Sequence, residues 1–424
     1  AWELQPASPE PGFTQGQRRG KGVRVGHPDS GYRRHPDMFA EPPGRPVRVL
    51  TALERDFIDN DKKAENNDGG HGLNTAGVLM SSDETGFVVG AAPEAEIVPL
   101  RVTKPRFGVP APVLFDSGVR NLRDAIRYAV DQAGCHVVSI SLGWFGNWSL
   151  HQAIREAVAK NVIVIAASGN YVPMVVWPAA YPEVIAVAGC DAERRPWSGA
   201  STGPQVDVSG PAARVWVAGF SASGVPSAGQ SDGTSFATAT LAGIAALWLA
   251  YHGRDYLLHR YRGAFTLTGV FRHIVHTTCD PFAFHVTRGY GAGIYNARRI
   301  LSAPLPTIAE LQIASPVAAA AAPRVATPVD TIASAFPEVP EDVLRMRLAA
   351  LLQVPESELD ARLAGVEDEL LFQVVTNLGL RNQLGAPVAP VEIGGIAPAA
   401  APVAAAHVTL VGSPLSSRLR ERIG

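Results

Sequence analysis

Cysteine is scarce in this chain: Cys135, Cys190 and Cys279 are the three among 424 residues. So odd and widely spaced a set makes no disulfide framework, and none of the three stands in a CxxC pair or beside histidines at metal-ligand spacing. Cys135 and Cys190 lie in apolar runs and read as small buried hydrophobes. Long hydrophobic runs are missing as well. No stretch of about 18 apolar residues occurs, so no membrane span is expected. The opening Ala1-Trp2-Glu3-Leu4 lacks the basic start and apolar core of a signal peptide. Charge is thin: Asp, Glu, Lys and Arg make up 18% of the chain and nearly cancel, to a net −2. No basic stripe is present to hold nucleic acid, and no repeat of solenoid period is found. Apolar residues, by contrast, reach 46%. That is enough to bury a full core, and the length suffices for one large domain with a smaller appendage.

Residues 1–22, rich in Pro, Gly, Gln and Arg, read as an irregular lead-in. Across 23–305, short β-branched runs at 23–26, 87–91, 97–102, 136–142, 162–167 and 184–188 alternate with helically spaced apolar residues over 121–133 and 150–160. Strands alternating with helices predict βαβ units and a mostly parallel sheet covered on both faces, a three-layer α/β/α domain. Composition then changes. Residues 306–329 are rich in Ala and Pro and read as a semi-stiff linker. Residues 330–384 are predicted to form a small all-α module of three short helices. Its stripes are Val343, Leu344, Leu348, Leu351, Leu352 and Leu370, Leu371, Val374, Val375, and its helix starts are Pro340-Glu341-Asp342 and Pro355-Glu356. This module carries no reactive cluster, so it is expected to serve binding or assembly; a processed propeptide and an element that docks a protein partner are both open. Residues 385–424 are a low-complexity stretch and a basic tail.

Three segments carry chemistry, each at the end of a strand-like run or the start of a helix-like one. They are Val25-Gly26-His27-Pro28-Asp29-Ser30-Gly31, Gly70-His71-Gly72-Leu73-Asn74-Thr75, and Gly233-Thr234-Ser235-Phe236-Ala237 leading into the apolar helix 241–250. A serine hydroxyl needs a base that removes its proton as it attacks, and histidine suits that task. The histidine in turn needs a carboxylate to fix its tautomer and stabilise the imidazolium. The order Asp29, His71, Ser235 is one of the chain orders in which such triads occur. A fourth segment, Ile163-Val164-Ile165-Ala166-Ala167-Ser168-Gly169-Asn170, is a buried strand ending in an amide that could donate to an oxyanion.

With these four segments the chain resembles the subtilisin-like serine peptidases over about residues 22–301. The resemblance implies a three-layer α/β/α fold and a serine endopeptidase, with Asp29 as triad acid, His71 as general base, Ser235 as nucleophile and Asn170 as oxyanion donor. Its substrate would be a polypeptide; the location is open between secreted, which the family favours, and cytoplasmic. Ser141, Leu142 and Gly143, with Ala167, Ser168 and Gly169, would flank the pocket for the residue before the scissile bond. Residues 177–182 would close it. The apolar run around Tyr171, Val172, Met174, Val175 and Val176 points to an apolar or broad preference. Nothing before Gly22 resembles an intramolecular inhibitor domain. No cofactor is required. The family often carries structural calcium, and the acidic loop 56–68 is the place for it, though a solvated loop is the expected reading.

Several residues depart from the family pattern. His27 and Pro28 precede Asp29 in place of apolar residues, so the strand is expected to end or bulge there. His27 is expected to pack beside Asp29 rather than serve as a second base. Leu73 replaces the usual Thr. Ala239 replaces a proline four residues after Ser235. A more regular helix would result, and with it peptide ligation by the same acyl-enzyme becomes an alternative to hydrolysis. A non-catalytic peptide-binding module would require a broken triad, and none is broken.

Overall fold

The computed structural model describes residues 19–39, 48–66, 70–82, 86–104, 116–143, 145–172, 174–284, 286, 289–314, 327–336, 339–364, 366–376 and 378–385. Seven strands form one sheet: β1 (Arg24–Asp29), β2 (Arg55–Asp56), β3 (Glu96–Arg101), β4 (Val137–Ile140), β5 (Ile163–Ala167), β6 (Ile185–Cys190) and β7 (Val208–Pro211). Their spatial order is β2-β3-β1-β4-β5-β6-β7, and each neighbouring pair is parallel. Two further strands, β8 (Val215–Phe220) and β9 (Pro226–Ser231), make an antiparallel hairpin.

Parallel strands need crossovers. The helices along this part of the chain are α1 (Pro36–Phe39), α2 (Gly70–Met80), α3 (Asp116–Asp131), α4 (Trp148–Ala159), α5 (Thr234–His252), α6 (Arg254–Arg260), α7 (Leu267–Thr277), α8 (Ala297–Ser302) and α9 (Ile308–Ala314). Side chains alternate between the sheet's two faces. Val25, Ile97, Val137, Ile163, Ile165, Ile185 and Val187 join a single core with α2, α5 and α7. On the other face α3 covers β1 so closely that a Cβ at Gly26 would lie 3.0 Å from that of Ala129. A 3.1 Å Arg127–Glu156 contact ties α3 to α4. The architecture is the three-layer α/β/α arrangement expected. Cys135 and Cys190 are buried, and none of the three cysteines forms a disulfide.

α5 is apolar all round and buried along nearly its whole length. A helix of that kind is held by tertiary burial, at about 1.5–3 kcal/mol for each large apolar side chain, more than by propensity. By length and composition alone it could cross a membrane, but 89% of that stretch is buried inside the protein.

Two strand expectations are corrected. Residues 87–91 are not a strand. Gly90, Ala91 and Ala92 donate their N–H groups to Ser81, Val78 and Leu79 at the end of α2, which takes them out of reach of the sheet. β1 does not end at Pro28. It pairs with β3 through Asp29, opposite Arg101, while its pairing with β4 stops at Gly26. The donor that proline lacks is therefore missing from a side where no ladder continues. The stretch expected as linker carries α9, capped by Thr307 and Glu310 and holding Leu311 in the core.

Contacts divide the chain into two compact units: 1–144 with 153–324, and 145–152 with 325–424. Among its described residues the second unit contains α10 (Pro328–Ala333), α11 (Glu341–Leu352), α12 (Leu359–Leu363), α13 (Glu367–Thr376) and α14 (Leu378–Gln383). Thr327 and Asp330 form a capping box at the start of α10. Leu344, Leu348 and Leu352 of the first expected stripe are buried, as are Leu370, Leu371 and Val374 of the second. Five short helices stand where three were expected; Pro340 caps the start of α11, and the chain after Pro355 makes a short turn before α12. The low-complexity stretch and basic tail lie outside the described residues.

Candidate active site

Ligands of parallel α/β sheets bind beyond the carboxyl ends of the strands, where the strand order reverses. Here β1 is flanked by β3 and β4, and its last residue is Asp29. The chain then turns sharply through Ser30 and Gly31. Gly31 has φ of +86°, and a Cβ there would meet Asn66 Nδ2 at 2.1 Å and the Ala64 carbonyl at 2.3 Å. His71 lies in the first turn of α2. Gly72 donates its N–H to Ser30 Oγ at 3.1 Å. A Cβ on Gly72 would stand 2.0 Å from the Gly31 carbonyl oxygen, so only glycine lets α2 abut the turn after β1. Ser235 is buried in the first turn of α5.

These placements bring Asp29, His71 and Ser235 together. His71 Nδ1 lies 2.7 Å from Asp29 Oδ1, and His71 Nε2 lies 3.2 Å from Ser235 Oγ. An ionised carboxylate only accepts, so the ring proton sits on Nδ1 and Nε2 is left to accept the serine proton. Asp29 is fully buried. Burial alone would raise its pKa. The charge and hydrogen bond of His71, aided by His27 and by the Ser30 N–H 2.6 Å from Oδ1, outweigh that and hold it below the usual carboxylate range. Ser235 Oγ also lies 3.1 Å from the Ser141 carbonyl, and Ser141 Oγ donates to the Ser235 carbonyl at 3.0 Å. This reciprocal pair fastens the chain after β4 to the start of α5.

Asn170 follows β5. Its Oδ1 accepts from the Thr234 N–H at 3.0 Å and from Thr234 Oγ1 at 2.8 Å. With the oxygen held on that side, Nδ2 lies beside Gly233, 3.4 Å from where a Cβ on that residue would stand. The donor end of the amide thus lies next to the segment that carries Ser235.

The six expected pocket residues emerge from adjacent parallel strands: Ser141, Leu142 and Gly143 beyond β4, Ala167, Ser168 and Gly169 at and beyond the end of β5. Val176 lies between the two segments. Its methyls would approach a Cβ on Gly143 to 2.8 Å and one on Gly169 to 3.0 Å, and its N–H donates to the Ser168 carbonyl at 2.9 Å. The Trp177 carbonyl closes on Gly143 in the same way, at 2.4 Å from such a Cβ. Sequence reasoning named Val176 only as one of an apolar run. It missed Thr234 as the anchor of Asn170, and it missed Thr75. The signal for Thr75 was its place one helical turn after His71.

His27 is buried, and its Nε2 lies 2.9 Å from Thr75 Oγ1 and 4.0 Å from Asp29 Oδ2. It packs beside Asp29, as expected. Leu73 is buried in the core shared by α2 and α5.

Among the described residues of the acidic loop the carboxylates are engaged within the chain. Asp56 and Asp59 both bind Arg101, and Asp56 Oδ1 accepts from the N–H groups of Ile58 and Asp59 at 2.7 and 3.2 Å. Asp61 accepts from the Lys63 N–H at 2.8 Å, and Glu65 faces Arg34 at 3.2 Å. Hard cations need several carboxylate or carbonyl oxygens turned to one point. Among the described residues no group of three or more His, Cys, Asp and Glu could hold a metal ion. Asp68 lies outside those residues.

Comparison with known proteins identifies the family. A model of the Subtilase family, peptidase S8, matches residues 20–293. Thermitase of Thermoactinomyces vulgaris is 34% identical over 246 residues, which cover 56% of this chain and 77% of that one. An intracellular serine protease of Paenibacillus polymyxa is 29% identical over 244 residues, covering 54% and 68%. Among solved structures, a protease of Pseudoalteromonas arctica shares the fold with a TM-score of 0.56 at 24% identity, covering 68% of this chain and 91% of that one. The chain belongs to the subtilase family of serine endopeptidases.

Proposed function

We infer that the chain cleaves internal peptide bonds through an acyl-enzyme on Ser235, with His71 as base and Asp29 as its partner. The observation that carries this is the His71 ring, spanning 2.7 Å to Asp29 and 3.2 Å to Ser235 at the carboxyl edge of the sheet. Ser235 Oγ attacks the substrate carbonyl as its proton passes to His71 Nε2. Asn170 Nδ2 and the Ser235 N–H donate to the oxyanion. The tetrahedral species collapses by breaking its C–N bond, and His71 returns the proton to the departing amine. Water then attacks the ester with His71 again as base, freeing the new carboxyl end and restoring the Ser235 hydroxyl. The apolar lining from Leu142 and Val176 supports an apolar residue before the scissile bond.

A fluorophosphonate probe tests the reading. Wild-type protein is expected to be labelled and Ser235→Ala to be blank. Folded wild-type protein that resists the probe would refute it. Ligation is the second reading, and Ala239 favours it. α5 runs as continuous helix through Ala239, so no proline disturbs the turn that carries Ser235. Partition of an activated peptide ester between water and an added amine decides between them; release of free acid alone removes ligation.

A further inference from the structure

Two polar side chains lie behind the triad where the mechanism leaves them unused. His27 lies on β1 and Thr75 on α2. His27 Nε2 is 2.9 Å from Thr75 Oγ1, and Thr75 Oγ1 is 3.3 Å from Asp29 Oδ2, the carboxylate oxygen that His71 does not use. Both residues are buried. Burying two polar groups side by side is costly unless they hydrogen-bond in a fixed pattern.

The charge on Asp29 sets that pattern. With Nε2–H donating to Thr75 and the Thr75 hydroxyl donating to Oδ2, both dipoles present hydrogen to the carboxylate. In the reverse arrangement the hydroxyl's lone pairs would face the negative oxygen. Thr75 has two other acceptors, the carbonyls of His71 at 3.1 Å and Gly72 at 3.2 Å, as any helical threonine does. A donor from His27 occupying the hydroxyl oxygen, with the carboxylate nearby, favours Oδ2.

We propose that His27 and Thr75 form a positioning pair, a two-link chain that holds the second oxygen of Asp29 and so fixes the plane in which Oδ1 meets His71. The proposal rests on the triad reading above. The titratable groups facing His27 are Asp29 on its own strand and His71 on α2. Burial lowers the His27 pKa, with Asp29 opposing and His71 assisting, which favours the neutral ring.

Hydrolysis of a fluorogenic peptide from about pH 5 to 10 by Thr75→Val, Thr75→Ser, His27→Val and the double valine variant tests the pair. Fluorophosphonate labelling of the wild type comes first, and an unlabelled wild type overturns the triad reading and this proposal with it. Given a labelled wild type, Thr75→Val is expected to lose about tenfold in kcat with KM little changed, the size of a hydrogen bond to a charged group. The acid limb of kcat/KM is expected to move to higher pH, since Asp29, freed of two opposing dipoles, holds the proton on its partner longer. Thr75→Ser is expected to restore both. His27→Val is expected to resemble Thr75→Val, and the double variant to be no worse than either, because one chain is cut in each case. An unshifted acid limb with unchanged kcat overturns the pair. So does a Thr75→Ser protein as impaired as Thr75→Val, or losses that multiply in the double variant. Should Thr75→Val fail to fold, His27→Gln, whose amide N–H can replace Nε2–H, is compared with His27→Val: rescue by glutamine supports the pair, and equal loss overturns it.

Discussion

Asp29→Asn is the substitution that separates the charge of the triad acid from its geometry. In some triads the amide turns its NH2 group toward the histidine and inverts the tautomer. The surroundings of Asp29 oppose that. Oδ1 accepts from the Ser30 N–H at 2.6 Å as well as from His71 Nδ1 at 2.7 Å. An NH2 at that point would face two donors. At the Oδ2 position the NH2 finds Thr75 Oγ1, which can turn its own hydrogen to the His71 or Gly72 carbonyl and accept. The amide of the Asp29→Asn protein should therefore keep its oxygen on His71 and retain the working tautomer, and only the charge is lost. A unit charge about 4 Å from the imidazolium, at an effective dielectric near 20, is worth about 4 kcal/mol. That corresponds to about 10³ in rate. Loss of the negative charge also makes the protonated base release its proton more readily, so the acid limb should move to lower pH. The assay is steady-state hydrolysis across pH, with a thermal melt to show the fold intact. A loss well beyond about 10⁴, recovered only with hydroxide at high pH, would indicate an inverted tautomer and refute the argument from Ser30. A loss under about tenfold would refute the assigned charge effect.

Removing the oxyanion donor in Asn170→Ala should lower kcat by about 10²–10³, the range found at subtilisin-type sites, with KM little changed; an equal rise in KM would show that Asn170 binds the ground state. Gly72→Ala should destabilise by about 3 kcal/mol or more, seen as a lower melting temperature, because its Cβ would fall 2.0 Å from the Gly31 carbonyl; an unchanged melt would mean the β1–α2 junction relaxes freely. Adding a chelator should leave the melting temperature unchanged, and a fall would refute the reading that the loop acids are engaged within the chain. Burial raises the pKa of Asp207, but Arg272, His276 and the Ala186 N–H at 2.8 Å outweigh it and depress it overall. A depressed folded pKa gives stability that is present above the ordinary carboxylate range and lost as pH falls through the folded value. Asp207→Asn should therefore cost stability at neutral pH and show a shallower loss on acidification; parallel acid curves for the two proteins would refute this.

The sheet was legible in the sequence wherever a strand is buried on both faces, because such strands read as unbroken β-branched runs. That holds for 162–167 and 184–188, which frame β5 and β6. It fails where tertiary contacts choose between structures of similar local preference. Residues 87–91 have the composition of a strand, yet the N–H groups of Gly90 and Ala91 bond the end of α2 and that of Val88 bonds Asp37 Oδ2. Val208-Ser209-Gly210-Pro211 has a single β-branched residue and still forms the edge strand β7, because Val208 fits the core and its proline stands at the strand's end. Pro28 shows the same limit from the other side. Whether a missing donor breaks a strand depends on which neighbour it faces, and that neighbour lies far along the chain, since Gly26 is the last residue paired to β4, through Val138.

The site divides along the same line. Asp29, His71, Ser235 and Asn170 could be named because each lies in a short local motif whose chemistry requires those residue types. The groups that orient them could not, because each acts through a contact between distant segments. Thr234 is one residue from Ser235, but its link is to Asn170, 64 positions earlier. His27 and Thr75 are two unrelated polar residues in the sequence until β1 and α2 bring them to 2.9 Å. His27 without Thr75 would leave its buried Nε2 without that partner, at a cost of about 1–3 kcal/mol. Together they satisfy each other and reach the charge of Asp29, so the two buried polar residues amount to one arrangement at one place.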